Sequence, residues 1–203
     1  MRLINPRAWR PGFFHSLSMA LFGVVLATSS ASAVDLKPPL APFQAQMTLR
    51  AGGGIEMVGA MWHDNGLERR EMVMDGEDVI LITRPDQGSV FMISPVNLMA
   101  MQMSLTPEMQ LYSEQSLAGL TAEAVGEETI SGESTTKYQV SSAPDSGNTV
   151  NGFMWITDDN IAMKFEGQSG KDEISMTLAE VARGPVDRTL FEVPADYEIM
   201  KWD

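Results

Sequence analysis

Met57, Met61 and His63 fall within seven residues, with Trp62 between the last two, and Met99, Met101 and Met103 alternate forty residues later. Thioethers and an imidazole at close spacing are the ligands a soft ion such as Cu(I) selects. The same thioethers, without the imidazole, make an adaptable apolar lining for a lipid or an acyl chain, because an unbranched side chain reshapes around its contents. They also fill irregular cores. Sixteen methionines in 203 residues leave all three readings open. Trp62 and His63 are adjacent, so on a strand they leave opposite faces, which weighs against the metal reading.

Other chemistry has little to stand on. His15 lies in the N-terminal leader described below, so His63 is the one histidine beyond it, and there is no Gly-x-Ser-x-Gly string to accompany it. Cysteine is absent altogether. Gly167-Gln168-Ser169-Gly170-Lys171 is too short for a phosphate loop and continues with Asp172 rather than Ser or Thr. Asp158-Asp159 and Glu127-Glu128 lack the spacing of a calcium loop. A hydrolase, a catalytic metal and a bound cofactor are therefore not expected; a non-enzymatic binding protein is.

Strands must position these residues. Ala45, Met47 and Leu49 alternate with Gln46, Thr48 and Arg50, the period of a half-buried strand. Asn65-Gly66, between 55–64 and 67–75, predicts a two-residue hairpin turn. Counting back from it pairs Asp64 with Leu67, Met61 with Arg70, Gly59 with Met72 and Met57 with Met74. One face then carries Met57, Met61, His63, Met72 and Met74, and the other Val58, Trp62, Leu67 and Val73. Pro85-Asp86-Gln87-Gly88 joins strands over 79–84 and 89–94, and 96–105 reads as a strand that aims three methionines one way. Thr106-Pro107-Glu108 predicts a helix start, ending near Leu117. Strands follow over 123–130, 134–142, 150–157, 161–168 and 173–182, separated by turn-forming Gly, Asp, Asn and Ser. The expectation is a mainly β, antiparallel sheet of about ten strands with one or two helices, curled because so many strands cannot stay flat.

Composition places the domain. Arg2, Arg7 and Arg10 precede an apolar run over 17–27 and a small-residue string ending at Ala33, the layout of a secretory signal peptide. Cleavage there takes away 33 residues and three arginines, leaving 170 residues with 11 bases against 27 acids, a net of −16. Such a charge excludes nucleic acid as a partner and electrostatic docking on an anionic membrane. No later apolar run reaches the roughly 20 residues a membrane span needs. Residues 34–42, with three prolines, read as an extended lead, and 43–203 as one domain. The expected protein is monomeric and periplasmic, and with no Cys at the cleavage site it lacks the residue that bacterial lipoproteins acylate.

The second half carries a set of short strings: Gly126-Glu127-Glu128-Thr129-Ile130-Ser131-Gly132, then Lys137-Tyr138, Met154-Trp155-Ile156-Thr157-Asp158 and Leu190-Phe191-Glu192-Val193-Pro194-Ala195-Asp196-Tyr197. Together, over about 43–197, they resemble an uncharacterised exported family related to the LolA and LppX type of periplasmic lipoprotein and lipid carriers. Two positions depart from it: Thr135 stands where relatives often have Cys, and Asp196 where Gly is usual. The resemblance implies an unclosed half-barrel with a helix across its concave side, enclosing an apolar cavity, and Phe191, Pro194 and Tyr197 locking the last strand. The expected ligand is a lipid or a lipoprotein acyl chain, lined by Met57, Met61, Met72, Met74, Met99, Met101 and Met103. The alternatives are an envelope-protein interaction or stress-sensor domain without lipid cargo, and a Cu(I) carrier.

Overall fold

The computed structural model describes residues 33–74, 76–106, 117, 119–142 and 150–202. The leader and residues 107–116 of the expected helix lie outside them; Leu117, at the end of that helix, is helical and buried.

Thirteen strands make one sheet: β1 (Ala33–Val34), β2 (Phe43–Ala51), β3 (Ile55–Asp64), β4 (Leu67–Met74), β5 (Glu77–Arg84), β6 (Ser89–Ser94), β7 (Met99–Ser104), β8 (Leu120–Ile130), β9 (Glu133–Ser142), β10 (Val150–Ile156), β11 (Ala162–Ser169), β12 (Asp172–Arg183) and β13 (Glu198–Trp202). Their spatial order is β1-β8-β9-β10-β11-β12-β2-β3-β4-β5-β6-β7-β13, and among the described residues the sheet is unclosed. Every pairing is antiparallel except β13 with β7, which is parallel. The count exceeds the expected ten chiefly because β1 and β13 pair at the two edges. Each is too short and too exposed to show an alternating pattern.

The β3–β4 hairpin turns at Asn65 and Gly66, with φ of 50° and 84°, the positive values that an Asn-Gly pair tolerates. Its ladder runs from Asp64 with Leu67 to Gly59 with Met72 in the expected register. At Gly59 a Cβ would stand 1.7 Å from the Glu71 carbonyl oxygen, so the two backbones approach there as only glycine permits. The strand expected over 96–105 starts later, at Met99. Pro95, Val96 and Asn97 form a 3-10 turn instead, and Leu98 takes the left-handed conformation at φ 51° that Gly88 takes at 59° in the matching Pro85–Gln87 turn. A proline fixed near φ −65° starts both turns, which is why the strand cannot begin at 96.

The ladder gives the sheet two faces, set by the registers. On one, which we call the methionine face, Phe43, Ala45, Met47, Met61, Met72, Met163, Met176 and Leu178 bury one another. The other face is polar over the middle of the sheet, where Gln44, Gln46, Arg50, Glu166 and Gln168 alternate outward. Over β4–β7 it turns apolar again. Leu67, Ile82, Phe91, Ile93 and Ala100 lie under the C-terminal segment, whose Phe191 is buried among them with Val186, Val193 and Tyr197. Arg69 and Arg84 fasten that segment, donating to the carbonyls of Leu190 at 2.8 Å and Phe191 at 3.0 Å. The turn that follows, Tyr197 N–H to Pro194 O at 3.1 Å, feeds the chain into β13. Phe191 and Tyr197 thus pack over β4–β7, and Pro194 accepts at the turn that leads into β13, a strand the sequence reading did not include.

The extended lead is held as well. Leu40 N–H donates to Asp159 O at 3.0 Å, Asn160 Nδ2 to Pro38 O at 3.1 Å, and Gly184 N–H to Pro42 O at 2.9 Å. Arg183 binds the same corner, reaching Asp159 at 2.6 Å and Glu133 at 2.8 Å. These bonds hold the Asp159 carboxyl below its ordinary range, chiefly through the Arg183 side chain. A depressed carboxyl contributes stability that is present above its unfolded pKa and is lost as pH falls through the folded value. Two outcomes are expected. Phe191→Ala should lower the unfolding free energy in urea by about 3–5 kcal/mol, against a change within about 0.5 kcal/mol for Leu40→Ala at an exposed position. Wild type should lose more stability than Asp159→Asn as pH drops below about 4, read from urea midpoints across a pH series.

Candidate functional site

Tracing the registers across the strands places every described methionine on one face. Met154 pairs with Phe165, Phe165 with Met176, Met176 with Leu49 and Leu49 with Met57, a continuous row over five strands. A second row runs Leu178, Met47, Gly59, Met72, Val79. A third runs Ala45, Met61, Arg70, Leu81, Met92, Met101, Met200. Met103 and Met99 belong to the rows on either side of the third. Met74 follows Met72 by alternation, and Met163 precedes Phe165 by alternation and sits in the same core cluster. Thirteen thioethers therefore share a face, and the opposite face has none among the described residues.

The seven residues expected to line a ligand site are all here, but they do not form one group. Met61 and Met72 are core residues, 0% and 4% exposed. Met57, Met74, Met99, Met101 and Met103 are half-buried, as are Met92 and Met154, which the sequence did not single out. Met200, at the β13 edge, is exposed. Met92 and Met154 were legible in principle from strand alternation. Met200 was not, because the parallel pairing that brings it beside Met101 has no local signature.

One polar patch interrupts the face. His63 pairs with Glu68, and Glu68 forms a salt bridge with Arg70 along the same strand, their side chains 3% and 15% exposed. His63 stacks on Phe43 with ring centroids 5.4 Å apart, and its Nε2 accepts from the Gly66 backbone N–H at 3.3 Å. Burial pushes the imidazole below its ordinary pKa, opposed by the charges of Glu68 and then Asp64. An imidazole whose Nε2 accepts from the turn, beside a fully buried Met61, is built as part of the hairpin. This speaks against Met57, Met61 and His63 as a metal-binding trio. Trp62 leaves the other face, donating to Gln44 at 3.1 Å.

On that other face, Trp155 is buried between Lys137 and Lys164, each Nζ 4.6 Å from its ring, while its Nε1 donates to Glu128 at 2.7 Å. Glu128 in turn has its carbonyl bound by Thr135 at 2.5 Å. The strings behind the family resemblance thus serve the sheet's own packing, and of the seven expected lining methionines they contain none. Thr135 is buried, and the hydrogen bond to the Glu128 carbonyl is what its hydroxyl does. The adjacent acids do likewise, with Glu128 on Trp155 and Asp159 on Arg183. Among the described residues no group of three or more His, Cys, Asp or Glu could hold a metal ion. No helix among them is long and apolar enough to cross a membrane. A separate cleft of about 200 Å³ lies between the lead and the β10–β11 turn, lined by Leu36, Lys37, Tyr138 and Asp158 among others. It is smaller than the roughly 300–1,000 Å³ of a typical small-molecule pocket.

No protein-family model and no curated protein matches the sequence. Solved structures do match. An uncharacterized conserved protein from Thermus thermophilus aligns over 80% of this chain and 91% of its own length, with a TM-score of 0.53 and 13% identity. MucB aligns over 79% of this chain with a TM-score of 0.52 and 14% identity. This chain spans only 60% of MucB. The lipoprotein LppX of Mycobacterium tuberculosis aligns over 71% of this chain and 88% of its own, at 15% identity, and its TM-score of 0.42 is too low to decide anything. At these identities the likeness shows the fold alone, an unclosed LolA-like sheet.

The electrostatics of the polar patch have a direct readout. The His63 ring should titrate below 6.5 by NMR, and Glu68→Gln should lower the midpoint further, since it removes the carboxylate that favours the imidazolium. A midpoint at or above 6.5 would show that burial does not dominate.

Proposed function

We propose that this chain is an exported, non-enzymatic binding module that holds an apolar ligand, a lipid or a lipoprotein acyl chain, against its methionine face. The observation that carries the reading is the one-sidedness of the thioethers. A core needs pliable side chains only where packing is irregular, yet all thirteen described methionines share a face and eight of them keep solvent contact. An apolar surface with no fixed shape suits a ligand of variable shape. Over β4–β7 the opposite face is already covered by the C-terminal segment. The half-buried methionines Met99, Met101 and Met103 of β7, with Met57 and Met74, are the proposed lining.

Export follows from the leader ending at Ala33, and the periplasm is the proposed compartment. The acidic balance suits a ligand whose recognised part is uncharged, because the arginines that the registers place on the methionine face are already paired, Arg70 with Glu68 and Arg183 with Asp159 and Glu133. A second reading, docking of an envelope protein, is favoured by the apolar edge that Val96, Leu98, Ile199, Met200 and Trp202 expose at β7 and β13. Large exposed apolar patches mark interaction sites.

The two are separated by extracting the purified protein with organic solvent and titrating it with a fluorescent fatty acid. The ligand reading predicts lipid in the extract and probe binding that weakens at least about tenfold in Met101→Lys but not in Gln46→Lys, on the polar face. An empty extract with no probe binding would sink it. Capture of one stoichiometric protein by that lipid-free sample would establish the docking reading in its place.

A further inference from the structure

Three thioethers stand in one row at an edge of the sheet. Met92 of β6 pairs with Met101 of β7, and Met101 pairs with Met200 of β13. All three leave the methionine face. Neighbouring strands lie about 4.7–4.9 Å apart, and each sulfur sits two bonds beyond its Cβ, with staggered χ1 and χ2 rotamers that can re-aim it. Three sulfurs can therefore meet above Met101 without moving the backbone. Their burial suits an exchangeable ligand: Met92 and Met101 are half-buried, and Met200 is 42% exposed. Met99 and Met103 flank Met101 at two residues' distance on the same face, offering a fourth sulfur.

The surroundings at this edge admit a cation as well as an apolar ligand. Glu198 pairs with Met99 and brings a carboxylate to the same face. The nearest cation in the row, Arg70, lies two strands from Met92 and is neutralised by Glu68. Hard cations and zinc find no ligand set among the described residues. Uncharged thioethers select soft monovalent ions. Trp202 pairs with Met103, two residues from Met200 on the same face, and is 68% exposed. Its ring would attract and report a cation held there. We propose that Met92, Met101 and Met200 form a three-thioether site for a soft monovalent cation of the Cu(I) and Ag(I) class. The site is distinct from the Met57, Met61 and His63 trio, whose imidazole is committed to the hairpin turn. It shares Met101 with the proposed lipid lining, but silver uptake by lipid-free protein is read separately from fatty-acid binding.

The test is titration of the purified protein with silver(I) nitrate in chloride-free buffer, followed by native mass spectrometry and tryptophan fluorescence. One equivalent should bind and quench the emission. Met92→Leu/Met101→Leu/Met200→Leu should weaken uptake by at least about tenfold, whereas Met57→Leu/Met74→Leu/Met154→Leu, on the same face but away from the row, should bind as wild type does. Leucine conserves volume, so both should fold. If the first triple fails to fold, Met101→Leu alone serves, and wild-type affinity in it overturns the proposal. So does the absence of stoichiometric uptake, or equal weakening in both triples.

Discussion

Side-chain alternation, propagated through one continuous ladder of backbone hydrogen bonds, is the constraint on which the rest of this structure depends. A strand slipped by one residue would send its whole apolar set to the other face. Here nine consecutive pairings, from β10 to β13, keep the thioethers of β2, β3, β4, β6, β7, β10, β11, β12 and β13 together. The register shifts at Ala124/Gly126, Trp155/Ile156 and Ala179/Ala182 do not break this, because each is a local irregularity after which the pairing resumes.

The two faces are stabilised differently, and the difference bears on function. Under the C-terminal segment, Ile82, Ile93, Phe91 and Phe191 bury one another, the isoleucines being stiff at χ1, and Arg69 and Arg84 hold the cover by its carbonyls. That cluster gives β4–β7 a rigid back. The methionine face is the softer of the two, its residues grading from Met47, Met61 and Met163, essentially inaccessible, to Met200 at the edge. A firm back and a pliable front make a surface that can adapt without unfolding the sheet. The strain of a left-handed leucine at Leu98 sits where the soft face meets the exposed edge.

Much of this was legible in the sequence where the signal is local. Asn65-Gly66 set the first hairpin and its register because few residue pairs accept two positive φ values. The Met99, Met101, Met103 alternation placed three thioethers on one face, and the strings from Gly126 to Tyr197 pointed to the fold the solved structures share. What was not legible is long-range. β13 pairs in parallel with a strand nearly a hundred residues earlier, so nothing near Met200 announces that it faces Met101. The divergence of Met61 and Met72 from Met57 and Met74 depends on how deep in the sheet each row runs, and alternation alone carries no depth. The two-residue β1 has no pattern to read. Pro95 was visible, but its effect was missed: it turns Val96 and Asn97 out of the strand and leaves Leu98 in the conformation its counterpart Gly88 adopts freely.

The central claim is that the half-exposed thioethers are where a ligand sits. The most direct measurement is an NMR titration of protein labelled with ¹³C at the methionine methyls, adding a long-chain fatty acid. The account predicts that the methyls of Met57, Met74, Met99, Met101 and Met103 shift while those of the buried Met47 and Met163 move least. Unchanged spectra at saturating fatty acid, or shifts as large at Met47 and Met163 as at the half-buried methionines, would contradict it.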